Sequence, residues 1–227
     1  MIWVVVPAYN EGRVLGGVVE ELVARGHRVV VVDDGSTDDT PAAARRAGAV
    51  VLRHAVNRGQ GAALQTGIAY ALRRGAEHIV TFDSDGQHAA EDVDALVAPL
   101  RAGRADVVLG SRFIGTPSVK HSEGMPGGRK AILALAVVFT RVASGARVTD
   151  THNGLRAFTR AAAAKLDIRL DRMAHASEIL DQIVRHGLRF EEVPVHVRYT
   201  EYSRRKGQSS FAALRILADY VVGRWMR

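Results

Sequence analysis

Residues 79–88 read Ile-Val-Thr-Phe-Asp-Ser-Asp-Gly-Gln-His, and the change of character at Asp83 decides how the chain is built. Residues 79–82 are apolar or β-branched, the composition of a buried strand. Directly behind them stand Asp83 and Asp85, whose side chains point the same way where the extended backbone continues. Two carboxylates facing one point repel each other unless a cation sits between them. Hard divalent cations such as Mg²⁺ or Mn²⁺ take oxygen ligands from carboxylates together with substrate phosphates. Without such a cation the stretch is an acidic turn, and His88 is either a further ligand or polar surface.

Outward from this stretch the same rhythm repeats. Short β-branched runs at 2–6, 29–32, 50–52 and 107–109 predict strands, and amphipathic stretches at 39–47, 62–72 and 92–100 predict helices. Leu15, Val18, Val19, Leu22 and Val23 recur at helical spacing until Gly26. The uninterrupted valines of 29–32 predict a strand buried on both faces. This alternation predicts an α/β fold with a mostly parallel central sheet, in which ligands bind beyond the carboxyl ends of the strands.

Polar clusters stand at those ends. Pro7-Ala8-Tyr9-Asn10-Glu11 follows the first strand and Asp33-Asp34-Gly35-Ser36-Thr37-Asp38 follows the second. Neighbouring parallel strands would bring them together, with acidic side chains able to accept bonds from ribose hydroxyls or a base N–H. The second cluster reads equally as a turn with a helix cap. Asn57-Arg58-Gly59-Gln60-Gly61 opens another helix, where glycines let backbone approach a diphosphate or simply make a turn.

The chain has 227 residues, 47% hydrophobic and 24% charged, the composition of an ordinary globular protein and not of a disordered or coiled-coil chain. It contains no cysteine, which excludes disulfides, thiolate metal sites and a cysteine nucleophile and makes a cytoplasmic location the expectation. A net charge of +7 favours anionic partners. No signal-peptide pattern opens the sequence, and the longest apolar run, 131–139, is far below the roughly 18 residues of a membrane span. Any membrane contact is therefore expected to be peripheral. One domain over 1–227 is expected, with a long loop at 115–128, helices at 130–143 and 177–185, and strands at 190–193 and 195–199. Its last element, a basic amphipathic helix at 209–227, carries Phe211, Leu214, Leu217, Val221 and Trp225 on one face. That face suits docking on the domain itself or on a membrane surface.

Six motifs in order, PAYNE (7–11), DDGSTD (33–38), NRGQG (57–61), DSDGQH (83–88), GSRF (110–113) and DTHNGLRAF (150–158), run along nearly the whole chain. Together they resemble the family 2 glycosyltransferases, and within them the dolichol- or polyprenyl-phosphate sugar synthases. The resemblance implies a GT-A nucleotide-sugar-binding fold and an inverting transfer of a hexose or N-acetylhexosamine from a nucleoside-diphosphate sugar (GDP-mannose or a UDP-sugar) to a polyprenyl phosphate. It implies nucleotide binding by Pro7, Tyr9, Glu11, Asp33, Asp34, Asn57, Gly61, Asp83 and Ser84, and a divalent metal, Mg²⁺ or Mn²⁺, at Asp83, Asp85 and Gln87. It implies catalytic parts for Asp85, Asp150 and Arg112 and acceptor-phosphate contacts from Arg112 and Arg129. The basic and polar residues of the second half add Arg205 as a further acceptor-phosphate candidate and Asn153 and Glu178 as candidates for sugar contact. Position 60 is Gln where many relatives carry Lys.

A phosphate monoester is already anionic at neutral pH, so transfer to it needs positioning and charge neutralisation and no strong base. The alternative acceptor, a sugar hydroxyl in cell-envelope polysaccharide, needs a base, for which Asp150 is the candidate. The absence of membrane spans predicts a peripheral protein on the cytoplasmic face, with a small integral membrane protein as partner. The glycine-rich signatures of dinucleotide dehydrogenases and P-loop NTPases are absent, as is the basic loop of a nucleotidyltransferase after the first strand. A nucleic-acid binder would leave the paired carboxylates unexplained, so no nucleic-acid partner is expected.

Overall fold

The computed structural model describes residues 1–114, 122–123, 148–151, 153–170 and 174–198. The uninterrupted valines of the second run become a strand, Arg28–Asp33 (β2), whose Val29, Val30, Val31 and Val32 are all buried. It lies between Ile2–Ala8 (β1) and Val50–Arg53 (β3), parallel to both. Helices Leu15–Ala24 (α1), Thr40–Arg46 (α2) and Gln60–Arg73 (α3) make the crossovers. His78–Thr81 (β4) pairs with the other side of β1, and Asp92–Arg101 (α4) follows it. Val107–Ser111 (β5), the two-residue Ser122–Glu123 (β6), Arg156–Thr159 (β7), Arg160–Ala163 (α5), Ala174–Arg185 (α6), Phe190–Pro194 (β8) and Val197–Arg198 (β9) complete the described elements.

The main sheet has the order β3-β2-β1-β4-β7-β5-β8. Alternate residues of β1 enter two different cores, as a two-residue period requires. Val4 and Val6 pack with Leu15, Val19 and Leu22 of α1 and Val93, Leu96 and Val97 of α4. Trp3 and Val5 pack on the other face with Leu64 and Ile68 of α3 and Ile179, Leu180 and Ile183 of α6. Each such aliphatic side chain removed from water contributes about 1.5–3 kcal/mol, so burial on both faces holds the strand ends, and the polar clusters behind them, in place.

The sheet is mixed. β7 runs antiparallel to both its neighbours, β4 and β5, in the sheet interior, while the other four pairings are parallel. The sequence rhythm does not predict β7, because Arg-Ala-Phe-Thr is four residues with a charge at its start. The expected strand at 195–199 is reduced to Val197–Arg198, which pairs with β6. The expected helices at 130–143 and 209–227 lie outside the described residues.

Candidate active site

The ends of β1 and β2 lock together. Ala8 pairs with Asp33, and the Asp34 amide donates to the Ala8 carbonyl at 2.8 Å. Beyond the strands the Asn10 amide donates to Ser36 Oγ at 2.9 Å, Asn10 Oδ1 accepts the Thr37 amide at 2.9 Å, and the Glu11 amide donates to Thr40 Oγ1 at 2.8 Å. These bonds hold Asn10 at φ 55°, the one non-glycine residue with positive φ among those described. Tyr9, the residue before it, is left exposed, while Pro7 and Glu11 are buried.

The two aspartates of β2 and its end do separate work. Asp33 is fully buried: Oδ1 accepts the Ser36 amide at 3.1 Å, and Arg53 Nε of β3 lies 3.0 Å from Oδ2. Asp34 gathers the start of α3. Its Oδ1 accepts from His54 Nδ1 at 2.7 Å and from the Arg58 amide at 2.9 Å, and its Oδ2 accepts from the Gly59 amide at 2.7 Å. Asn57 of the same loop is exposed. A Cβ on Gly61 would overlap the Leu170 carbonyl oxygen, so this glycine admits the chain's own 166–170 segment.

Asp83 and Asp85 follow the end of β4, and Ser84 between them is buried. Asp83 Oδ1 accepts from Gln60 Nε2 at 3.2 Å and Oδ2 from His88 Nε2 at 3.2 Å. Burial pushes the Asp83 carboxyl up, but the His88 hydrogen bond and the fields of His88, His175 and Arg156 outweigh it and leave the group below its ordinary value. Asp85 is pushed up to about 6, first by burial and then by the charge of Asp83. Its Oδ1 accepts the Gln87 amide at 3.0 Å, and the Gln87 carbonyl accepts the Arg198 amide of β9 at 2.9 Å. A Cβ on Gly154 would overlap the Asp83 carboxylate, and the Gly154 carbonyl accepts from Thr81 Oγ1 at 2.7 Å. The glycine thus lets the 153–155 segment lie directly on the Asp83 carboxylate.

Among the described residues no three His, Cys, Asp or Glu side chains gather as a metal site. A pair of carboxylates nevertheless suits a cation of the Mg²⁺ class, which is usually held by one or two carboxylates with the rest of its shell from water and phosphate. The donor set fits a divalent ion bound jointly with a diphosphate.

Across the sheet, Arg112 behind β5 grips Asp150: Nε to Oδ2 is 2.6 Å and Nη2 to Oδ1 is 2.7 Å, with both side chains buried. Glu192 of β8 ties down the same loop, its Oε1 accepting the Thr149 amide at 2.8 Å and Thr149 Oγ1 at 2.9 Å. Asn153 is buried with Oδ1 accepting the Leu155 amide at 2.9 Å, while Nδ2 has no partner among the described residues. Arg156 is a buried cation that donates to the carbonyls of Asn153 at 3.1 Å, Thr151 at 3.0 Å and Ala176 at 3.4 Å. Burial lowers its guanidinium to about 10 against the opposing fields of Asp83 and Asp150. Glu178 Oε2 accepts the amides of Arg169 and Leu170 at 3.0 and 2.7 Å, so a sugar contact from Glu178 would be shared with that segment. Arg129 and Arg205 lie outside the described residues.

Sequence reasoning passes over Glu192 and Arg156. Arg156 stands inside the DTHNGLRAF motif, a signal that was available, whereas nothing in the local sequence marks Glu192. A surface cleft of about 560 Å³ on the outer flank of α3 is lined by Arg58, Ala62, Gln65, Thr66, Ile168 and Arg169 and includes neither Asp83 nor Asp85.

The protein family described as glycosyl transferase family 2 matches residues 3–163, which include the strand-end clusters through Asp83, Asp85, Asp150 and Asn153. The chain belongs to this family. Proteins similar to it include the UDP-N-acetylglucosamine–dolichyl-phosphate N-acetylglucosaminyltransferase of Methanococcus voltae, 32% identical over 95% of this chain and 93% of that protein. The polyprenol monophosphomannose synthase of Mycolicibacterium smegmatis is 30% identical over 98% of this chain and 85% of that protein. A Methanocaldococcus jannaschii protein with no functional name is 40% identical over 97% of this chain and 91% of its own length. Glucosyl-3-phosphoglycerate synthase of Mycobacterium tuberculosis has the same fold, with a TM-score of 0.75 at 22% identity over 98% of this chain and 80% of that one. Crystal structures of that synthase hold Mn²⁺ with UDP-glucose and phosphoglyceric acid, or Mg²⁺ with UDP. The protein is therefore a glycosyltransferase of GT-A fold related to the polyprenyl-phosphate sugar transferases. No helix among the described residues is long and apolar enough to cross a membrane, and neither the described residues nor the similar proteins support the expected membrane-protein partner.

Proposed function

We propose that this family 2 glycosyltransferase moves a hexose or N-acetylhexosamine from a nucleoside-diphosphate sugar to a polyprenyl phosphate, with inversion at the anomeric carbon. The observation that carries the acceptor is the state of Asp150. Its carboxylate is bound at both oxygens by Arg112 and buried, which suits a structural part better than that of a base taking a proton from a hydroxyl. An acceptor that arrives anionic needs no such base. The activities named for the Methanococcus and Mycolicibacterium relatives support a lipid-phosphate acceptor.

In this reading the nucleoside lies over the joined ends of β1 and β2, with Pro7, Tyr9, Glu11, Asp33, Asp34, Asn57, Gly61 and Ser84 around it. Tyr9 and Asn57 are the exposed members, while Asp34 acts through the loop amides that it holds. Asp83 and Asp85, with Gln87, would hold a divalent ion, which when bound would supply positive charge to the nucleoside diphosphate leaving group. Arg112 meets the acceptor phosphate by sharing its guanidinium with Asp150, joined by Arg129 and Arg205. Asn153, whose buried amide nitrogen lacks a partner among the described residues, contacts the sugar. Oxygen of the lipid phosphate attacks the anomeric carbon, and the bond to the nucleoside diphosphate breaks. The lipid acceptor brings the chain to the cytoplasmic face of a membrane, and the basic, apolar-faced sequence of 209–227 suits that contact.

The test offers GDP-mannose, UDP-glucose and UDP-N-acetylglucosamine with undecaprenyl phosphate or free undecaprenol, with and without EDTA. Transfer to the phosphate alone, abolished by EDTA, is expected from one donor. Comparable transfer to undecaprenol or to a sugar hydroxyl would overturn the acceptor assignment.

A further inference from the structure

Asp83 is held from two sides by residues that no part of the proposed reaction uses. Gln60, the first residue of α3, reaches Oδ1 and His88 reaches Oδ2, each at 3.2 Å. An ionised carboxylate only accepts, so both nitrogens donate and the His88 proton toward Asp83 sits on Nε2. The imidazole is buried, its ring meets Phe82 edge-on at a centroid distance of 5.7 Å, and its backbone bridges to Val197. Its Nδ1 is buried with no partner among the described residues. The ring is thus fixed by packing, and among the described residues its one side-chain hydrogen bond is directed at Asp83.

We propose that Gln60 and His88 are positioning residues for divalent-cation binding, setting the rotamer of Asp83 so that its remaining lone pairs face the same point as Asp85. The inference rests on the metal assignment made above. Side chains that orient a ligand from behind typically change metal affinity about 10–100-fold when removed. Gln60 adds a feature of its own. Its amide orients Asp83 without bringing a positive charge, whereas an ammonium at the same place would pair with the carboxylate and repel the incoming cation.

The experiment titrates Mn²⁺ into the full chain, alone and with UDP or GDP, and follows free Mn²⁺ by electron paramagnetic resonance. Gln60→Met and His88→Phe remove the donors while retaining bulk, and His88→Gln restores an amide donor. Each removal should raise the Mn²⁺ dissociation constant about 10–100-fold in a protein whose circular dichroism in EDTA is unchanged. His88→Gln should recover part of the loss, and Gln60→Lys should weaken Mn²⁺ more than Gln60→Met. Gln60 is only half-buried, so Gln60→Met decides the question even where His88→Phe fails to fold. Variants that bind Mn²⁺ within about twofold of a wild type that binds it would overturn the clamp and leave the metal assignment standing. A wild type that binds no Mn²⁺ with either nucleotide overturns the metal assignment and the clamp with it.

Discussion

Arg112 and Asp150 form a two-point guanidinium–carboxylate pair, 2.6 and 2.7 Å long, with both side chains buried. It joins the end of β5 to the segment that leads into β7, and so places the loop that overlies Asp83. Breaking a buried ion pair by removing one partner typically costs about 3–5 kcal/mol. Arg112→Met should therefore lower stability by that order in chemical denaturation. Arg112→Met combined with Asp150→Asn should recover much of the loss while remaining inactive. An Arg112→Met protein as stable as the wild type would show that the pair is not closed in solution.

Asp85 predicts a trade of stability against activity. Its folded pKa of about 6 lies above the ordinary carboxylate value. Its contribution to folding is fully present below the unfolded pKa of roughly 4 and lost as pH rises through 6. At pH 8 the ionised group thus opposes folding of the metal-free protein. Asp85→Asn should stabilise that protein at pH 8 by on the order of 1–2 kcal/mol, with the gain shrinking toward pH 5, and should abolish EDTA-sensitive transfer. Thermal melts in EDTA at both pH values, together with the transfer assay, check this.

Gly154→Ala places a methyl group against the Asp83 carboxylate. The carboxylate has to turn, since the Gly154 carbonyl is itself held by Thr81. The expected outcome is a folded protein with about a tenfold or greater loss of Mn²⁺ affinity, in line with the sensitivity of metal sites to ligand orientation. An alanine variant of unchanged affinity would show that the segment moves instead.

Nucleoside diphosphate binding should raise the melting temperature only when a divalent ion is present, because Asp83 and Asp85 otherwise repel the phosphates. At a nucleotide concentration 100 times the dissociation constant the gain is about 2.7 kcal/mol. Equal shifts for UDP in Mn²⁺ and in EDTA would contradict the assigned role of the carboxylates.

The strand ends and the polar clusters behind them were legible because they are local. The apolar run before Asp83, the valines of β2 and the helical spacing from Leu15 to Val23 each state their element within a few residues, and parallel neighbours then bring Ala8 to Asp33. Motif order along the chain was enough to name the family. Less legible were the employments of individual side chains within those motifs. Asp34 and Glu178 look alike in sequence as candidate ligands, yet one closes on the amides of Arg58 and Gly59 and the other on those of Arg169 and Leu170.

The sequence by itself determined the α/β alternation, the burial of the central strands and the position of the carboxylates behind β4, since periodicity and turn chemistry act over a few residues. Only the tertiary structure decided that β7 enters antiparallel between β4 and β5, that Arg156 is buried, and that Glu192 holds the loop carrying Asp150. The place of β7 and the hold of Glu192 depend on partners more than 30 positions apart, such as Thr149 and Glu192 at a separation of 43. Such pairings are chosen by the packing of the whole sheet, where a short charged strand is stabilised by burial between two neighbours and not by its own pattern.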